Sequence, residues 1–260
     1  MFDSHTHILD PKFVGYEEEY IRNAEKVGVN GFMCIGLNNA NTLECINLAK
    51  KHSNVFVSAG YFPLDVNELE DAETLSLFNK IVEENKDYVK AIGETGLDFY
   101  YEKDESKRNQ QKKWFIYSIE LANKNHLPVM VHMRNATQET YNILQEHTPL
   151  YGTILHCYNG SVEMTKLFIK LGCYFSIGGI ITFNNIGDLI ESIKIIPLEK
   201  LLLETDAPYL SPAPYRGKRN ESSYMIEVLK KVSEIHEISV DLLDKITTHN
   251  SSVVFHVKYE

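Results

Sequence analysis

The chain contains the stretch Val89-Lys90-Ala91-Ile92-Gly93-Glu94, in which a short apolar run ends at a carboxylate. Two later runs, at 127–132 and 152–156, end in the same way at His132 and His156. Short apolar runs of this kind are typical of strands that are covered on both faces. Parallel strands deliver their carboxyl ends to one rim of a barrel, so we expect these side chains to meet there.

Eight such runs are distributed along the chain and predict eight strands. They cover residues 2–6, 31–35, 55–59, 89–92, 128–131, 153–155, 173–177 and 201–204. The segments between them have the apolar spacing of helices, and two more helical segments near 222–236 and 240–256 follow the last strand. This alternation predicts the α/β class, and its eight repeats favour a closed (β/α)8 TIM barrel over an open doubly wound sheet.

Composition and length fit a soluble protein with a large core, since 43% of the 260 residues are apolar and 24% are charged. The length suits one barrel or two ordinary domains. Because no linker or low-complexity segment divides the chain, we predict a single barrel domain over residues 1–260. No apolar run approaches the roughly 18–20 residues of a membrane span, and no signal-like stretch begins the chain. We therefore expect a cytoplasmic protein without a membrane partner, whose four dispersed cysteines are reduced.

The formal net charge of −10 argues against broad, nonspecific binding of nucleic acid through a basic surface. It does not exclude a nucleic-acid substrate, because divalent cations held in a pocket would supply positive charge locally. The charge balance therefore leaves the substrate class open.

Four histidines and two acids stand at or just past the ends of the apolar runs, and they are the candidate metal ligands. They are His5, His7, Glu94, His132, His156 and Asp206. A spacing of two residues puts His5 and His7 on the same side of a strand. Six ligand-type residues exceed what one catalytic cation with an open position needs, so a two-metal site is favoured. Imidazole and carboxylate ligands suit Zn, Mn, Fe or Ni, and Mg is compatible with a carboxylate-rich position.

Each candidate ligand also has an ordinary structural interpretation. The histidines are compatible with an edge strand or a satisfied core position, and Asp206 with the N-cap of a turn. Glu94 could be an exposed loop acid, although an unpaired carboxylate beside a buried strand would be costly in desolvation. The recurrence at five strand ends makes the metal interpretation far more specific than any one residue does.

At these residues the chain resembles the TatD family of metal-dependent hydrolases, which are deoxyribonuclease-like members of the amidohydrolase-type barrels. The resemblance includes Asp3-Ser4-His5-Thr6-His7, Gly93-Glu94-Thr95-Gly96-Leu97-Asp98-Phe99-Tyr100 and Leu203-Glu204-Thr205-Asp206-Ala207-Pro208-Tyr209-Leu210. It extends in order from about residue 1 to about residue 255. It implies a phosphodiesterase barrel with two divalent cations, one held by His5, His7, Glu94 and Asp206, the other by Glu94, His132 and His156.

One position departs from the family pattern. Relatives commonly have Gly-x-His-Pro after the third strand, whereas this chain reads Gly60-Tyr61-Phe62-Pro63. Phe62 thus replaces a histidine that is expected to face the substrate, and phenylalanine donates no hydrogen bond. We expect metal binding to be unaffected, and the rate and the choice of substrate to differ.

Several further residues are candidates for contacts around the site. Arg134 lies two residues beyond His132 and could bind a phosphate bidentately, a structural salt bridge being the alternative. Arg216, Lys218 and Arg219 form a compact basic cluster that is either a phosphate contact or a solvated surface. Rim tyrosines could stack bases or simply pack; they are Tyr100, Tyr101, Tyr158 and Tyr209. Glu204 shares strand parity with Asp206 and could accept a hydrogen bond from a ligand histidine.

Together these features predict a TatD-type deoxyribonuclease in which two metals activate a water, Glu94 bridges them and Asp206 accepts the proton. DNA or another phosphodiester would be its partner, and no obligate protein partner is evident. The alternative is an amidohydrolase, esterase or lactonase acting on a small C–N or carboxylic ester substrate, because one barrel hosts many reactions. A third interpretation is a non-enzymatic accessory protein in quality control or export, which the intact ligand set argues against.

Overall fold

The computed structural model describes residues 1–258, in which strands and helices alternate as the sequence predicts. Strands β1–β8 are Phe2–Thr6, Gly31–Gly36, Val55–Ala59, Val89–Asp98, Val129–Arg134, Thr153–Leu155, Tyr174–Ile177 and Leu201–Leu203. Helices α1–α9 are Glu17–Glu25, Asn39–Ala49, Ala72–Glu84, Glu105–Asn125, Thr137–Glu146, Val162–Lys170, Gly187–Lys194, Met225–Ile235 and Val240–Val254. Short 3-10 turns cover Pro11–Phe13, Val66–Glu70, Gly179–Thr182, Leu198–Lys200 and Ser222–Tyr224.

The strands form one sheet in the order β1 to β8, and every neighbouring pair is parallel. The sheet curves into a nearly closed barrel with helices around it, which confirms the predicted (β/α)8 architecture. Within residues 1–258, no helix is both long and apolar enough to cross a bilayer.

Apolar side chains fill the end of the barrel at which the strands begin. The carboxyl end of α9 and Phe255, the residue after it, cover this end. Phe255 stacks on Phe2 with ring centroids 5.7 Å apart, and Phe2 stacks on Phe56 at 6.1 Å. Met130 and Leu202 belong to the same buried cluster. Because apolar side chains fill this end of the barrel, the polar side chains inside it lie near the carboxyl ends of the strands.

Strand β4 differs from its prediction in length. The apolar pattern ends it at residue 92, whereas the structure continues it through Glu94 to Asp98. Its pairing with β5 changes register between Ile92 and Thr95. Gly93 and Gly96 adopt φ angles of +138° and +132°, which side-chain-bearing residues rarely adopt. Glu94 therefore lies within an irregular strand, and not just past a regular one.

Irregular pairing also turns the ligand side chains of β1 inward. Ser4 is inside the barrel, where its hydroxyl lies 2.6 Å from that of Ser176. In a regular strand, Ser4 and His5 would point to opposite faces. The pairing of β1 with β2 shifts register between Asp3 and Thr6, which lets His5 face the interior as well.

The two ends of the sheet, β1 and β8, are joined by main-chain hydrogen bonds just beyond their apolar runs. The Asp206 N–H donates to the carbonyl of His5 at 2.9 Å, and the His7 N–H donates to the carbonyl of Ala207 at 2.9 Å. The bonds that join these strands are thus made by three of the candidate metal ligands.

A buried carboxylate reinforces the same junction. Asp3 accepts hydrogen bonds from the Thr205 N–H at 3.0 Å and from the Thr205 hydroxyl at 2.6 Å. Ser222 also donates to Asp3, and Ser222 in turn contacts the Tyr20 hydroxyl of α1. Burial raises the pKa of Asp3 to about 7, although its hydrogen bonds act in the opposite direction. The network ties β1, β8 and α1 together.

We expect Gly96→Ala to lower the free energy of unfolding by about 1–3 kcal/mol, the usual cost of a strained backbone residue. A methyl group there would collide with the carbonyl oxygen of His132, and the φ of +132° suits glycine alone. Urea denaturation measures the change. Gly187→Ala is the matched control because its methyl group would meet open space. Equal stability of the two variants would contradict this account of the β4–β5 contact.

Candidate metal centre

Four candidate ligand atoms form the first cluster, and they come from β1 and the residue after it, from β4 and from the segment after β8. Nε2 of His5 lies 3.4 Å from Oε2 of Glu94 and 3.7 Å from Oδ1 of Asp206. Nε2 of His7 lies 3.3 Å from the same Asp206 oxygen and 3.9 Å from the same Glu94 oxygen. A tetrahedral cation with bonds of about 2.1 Å separates its ligand atoms by about 3.4 Å. The spacing therefore fits one cation.

Three candidate ligand atoms form the second cluster, and they come from β4, from β5 and from the residue after β6. Oε1 of Glu94 lies 2.7 Å from Nδ1 of His132 and 3.0 Å from Nε2 of His156. The two imidazole nitrogens are 3.2 Å apart. Glu94 thus presents one oxygen to each cluster, which is the arrangement of a bridging carboxylate.

The donor set fits a metal for a second reason, which is the state of its nitrogens. His5 is completely buried, its ring stacks on that of His156 at 3.9 Å, and neither of its nitrogens has a hydrogen-bond partner within residues 1–258. A buried polar atom without a partner is destabilising. Coordination of a cation by Nε2 would satisfy the atom that faces both carboxylates.

Burial and neighbouring charges set the protonation of the ligands. Burial alone would raise the pKa of Glu94, but His156, His132 and His5 around it hold that pKa well below its usual range. Burial lowers the pKa of His5, and the neighbouring His156 lowers it further. An ionised carboxylate and a neutral imidazole are the forms that bind metals, and Glu94 and His5 are shifted towards them. Burial would also lower the pKa of His7, His132 and His156, but the neighbouring carboxylates instead raise it, so any protons on these imidazoles must leave when a cation binds.

Two acids hold the outward nitrogens of the second cluster's histidines. Oδ2 of Asp98 lies 3.2 Å from Nε2 of His132. Oε1 of Glu204 lies 3.5 Å from Nδ1 of His156 and accepts a hydrogen bond from the Cys157 N–H at 2.7 Å. Carboxylates in this position orient an imidazole and raise its basicity. Strand parity had indicated Glu204 for this role.

The residue that sequence reasoning missed is Asp98. Asp98 lies in the Gly93–Tyr100 stretch that resembles the family, but the apolar pattern predicts a strand that ends at residue 92 and indicates no role for this residue. Once β4 continues to Asp98, this residue shares strand parity with Glu94 and pairs with Arg134 in the register of β5. The glycines at 93 and 96 were a signal of an irregular strand, because glycine within a strand often marks a bulge or a close approach of two backbones.

Phe62 lies at the site. Its ring meets the His132 ring edge-on, with centroids 5.0 Å apart. The side chain is half-buried and presents an apolar face beside the second cluster.

Arg134 lies at the same rim and is exposed. Its guanidinium carbon is 4.2 Å from the centroid of the Tyr100 ring and 4.7 Å from that of Tyr101. Within residues 1–258, its guanidinium forms neither a hydrogen bond nor a salt bridge. The structural salt bridge considered from the sequence is therefore not formed by the described residues.

The basic cluster at 216–219 is engaged within the chain. Arg216 covers the Phe183 ring at 3.6 Å and donates to the carbonyl of Ser211. Arg219 donates to the carbonyl of Lys12 and covers aromatic rings of the segment before α1. Their role in substrate binding stays a prediction, and in this conformation their guanidinium groups stabilise loops.

The chain is similar over nearly its whole length to proteins described as metal-dependent hydrolases. The sequence profile described as TatD related DNase matches residues 2–256. An uncharacterized metal-dependent hydrolase of Bacillus subtilis, YabD, is 33% identical over 258 residues, which are 99% of both chains. A second uncharacterized metal-dependent hydrolase, BU355 of Buchnera aphidicola subsp. Acyrthosiphon pisum, is 36% identical over 265 residues, and the match covers 99% of both chains. The crystal structure of the TatD homolog YJJV from Escherichia coli superposes with a TM-score of 0.92 at 26% identity, covering 99% of this chain and 98% of that one.

We expect Glu94→Gln to weaken cation binding at both clusters, because the amide cannot offer an anionic oxygen to each. Elemental analysis after exchange into metal-free buffer, followed by titration with Mn²⁺ or Zn²⁺, measures the loss. His132→Ala is the comparison, since it should affect the second cluster alone. Full metal content in Glu94→Gln would show that this carboxylate is not shared.

Proposed function

The chain belongs to the TatD-related DNase family of metal-dependent hydrolases, and we propose that it hydrolyses phosphodiester bonds in DNA with two divalent cations. The observation that carries the proposal is the pair of ligand clusters that share Glu94, with the unpaired guanidinium of Arg134 at their rim. Two adjacent cations suit in-line displacement at phosphorus. A cationic fork beside them suits the charge of the phosphate.

The residues that would hold the cations follow from the distances. His5, His7, Asp206 and one oxygen of Glu94 would hold the first, and His132, His156 and the other oxygen of Glu94 the second. When bound, the cations would acidify a water and stabilise charge on the phosphoryl oxygens.

Asp206 is the group proposed to accept the proton of the attacking water. Burial would raise the pKa of Asp206, but its hydrogen bond to His7 and its electrostatic interactions with the surrounding imidazoles lower it, so the carboxylate is ionised at neutral pH. Its side chain is slightly exposed at the mouth, unlike that of His5. A carboxylate with one face towards the mouth can take a proton while the histidines fix its position.

Arg134 is the group proposed to bind a phosphate oxygen. The two tyrosine rings beneath it restrict the side chain, so fewer rotamers are lost when an anion binds. A neutral amide or lactone would leave this cation unmatched. The apolar face of Phe62 is the one observation that favours a smaller substrate, so esters and amides belong in the substrate panel.

The decisive experiment measures hydrolysis of single-stranded DNA, RNA, bis(p-nitrophenyl) phosphate, and a carboxylic ester and amide panel. Each is assayed with Zn²⁺, Mn²⁺, Mg²⁺, Ni²⁺ and Fe²⁺. Cation-dependent cleavage of the phosphodiesters, with DNA preferred, supports the proposal. Exclusive turnover of carboxylic esters or amides would replace it with the alternative activity.

We expect Asp206→Asn to retain the fold and to lower kcat by about 10²-fold or more, the usual contribution of a general base. Because Asp206 also contributes to the first cluster, the assay uses saturating cation and metal content is measured in parallel. Near wild-type turnover with both cations bound would remove Asp206 from the proton-transfer step.

We expect Phe62→His to raise kcat on a single-stranded oligonucleotide by up to about 10²-fold, the contribution of one transition-state donor. The ring already lies beside His132, so an imidazole there would be close to the reacting phosphate. Phe62→Leu is the control, since it changes the shape without adding a donor. An unchanged rate in Phe62→His, with metal content equal to wild type, would mean that position 62 serves packing only.

A further inference from the structure

Two exposed tyrosines form a platform directly after β4. Tyr100 is 47% exposed and Tyr101 60%, and the guanidinium of Arg134 lies over both rings. The N–H groups of both tyrosines donate to Oδ1 of Asp98, at 3.0 and 2.9 Å. The other oxygen of Asp98 lies 3.2 Å from Nε2 of His132. This β4-side platform, composed of Tyr100, Tyr101 and Arg134, is thereby fixed beside the second cluster.

A similar pair lies beside the first cluster. Tyr209, which follows β8, is 46% exposed and its ring meets that of His7 edge-on at 6.0 Å. The ammonium of Lys12 lies 4.7 Å from the centroid of the Tyr209 ring, and the Tyr209 hydroxyl donates to Asp10 at 2.9 Å. We refer to Tyr209 and Lys12 as the β8-side platform.

The two platforms stand on opposite sides of the barrel mouth. β4 and β8 are four strands apart in a sheet of eight, so their loops face each other with the clusters between them. The cations of both platforms, Arg134 and Lys12, have no carboxylate within salt-bridge distance in residues 1–258. An exposed ring stacks on a base, and an unpaired cation beside it attracts a phosphate.

We propose that a polynucleotide strand crosses the mouth from one platform to the other, with one base stacked at each and the scissile phosphate between them. The inference rests on the proposed function and specifies its substrate: the site binds a nucleotide on both sides of the bond it cleaves. A site that held only one side of the bond would need one platform.

Dinucleotides with a single phosphodiester bond test the arrangement, because their register is unambiguous. The substrates are thymidylyl-thymidine and its two analogues in which either the 5′ or the 3′ nucleotide lacks its base. Tyr101→Leu and Tyr209→Leu are each expected to lower kcat/KM on the full dinucleotide by about tenfold, as base stacking is worth roughly that much. On the analogue that lacks the base bound by the mutated platform, each variant should have the same kcat/KM as the wild-type protein. This analogue should be a different one for Tyr101→Leu and for Tyr209→Leu.

Matched variants separate stacking from other effects. Tyr101→Phe and Tyr209→Phe retain the rings, so we expect each to lose less kcat/KM than the leucine variant at the same position. Lys200 lies over the ring of Tyr174 at 4.1 Å, and Tyr174 begins β7, so this similar pair lies at the opposite end of the barrel. Lys12→Met should reduce the salt dependence of oligonucleotide binding by about one phosphate contact, whereas Lys200→Met should leave it unchanged.

Binding measured without turnover distinguishes failure of this inference from failure of the proposed function. Fluorescence anisotropy is followed with a fluorescein-labelled, phosphorothioate-linked hexathymidylate, whose linkages resist cleavage. Weaker binding by both leucine variants supports the inference even if the wild-type protein cleaves no phosphodiester. Unchanged binding and unchanged dinucleotide kinetics overturn it while leaving the proposed activity intact. The inference is also overturned if both variants lose kcat/KM on the same base-free analogue. It is likewise overturned if the wild-type protein does not bind the hexathymidylate.

Discussion

The carboxylate of Glu94 is the constraint around which the site is built. It is buried, and an ionised group in that position must be compensated by opposite charge or by hydrogen bonds. Compensation comes from imidazoles on three other segments, with His5 on one side and His132 and His156 on the other. Because each oxygen faces a different cluster, a small movement of β4 would alter both. The glycine-rich, irregular course of β4 is what carries the carboxylate to this position against β5.

Barrel closure and ligand placement depend on the same bonds. The main chain of Asp206 pairs with that of His5, and Asp3 binds Thr205 across the junction of β8 and β1. Side chains that gather at the first cluster are therefore held by the hydrogen bonds that join the ends of the sheet. Hydrogen bonds of this kind place the candidate ligands close together before any cation binds.

The sequence alone was sufficient for the architecture and for the segments on which the candidate ligands lie. His132 and His156 follow the regular alternation of β5 and β6, in step with the interior residues Met130 and Ile154. His5 and Glu94 do not follow such an alternation, because β1 and β4 are irregular just before them, and register changes depend on the neighbouring strand.

Contacts that depend on distant segments were also beyond the sequence. Arg216 and Arg219 looked like a free basic cluster, but Phe183 and Phe13 supply the rings that they cover. The role of Asp98 was hidden by the underestimated length of β4.

The bonds of Asp98 to the loop that carries Tyr100 and Tyr101 affect how such a site can diversify. Asp98 accepts hydrogen bonds from the backbone N–H groups of Tyr100 and Tyr101, so any residue except proline at these two positions can retain them. Substitutions at positions 100 and 101 can therefore change the surface that contacts a ligand. The imidazole of His132, which the same carboxylate contacts, stays in place.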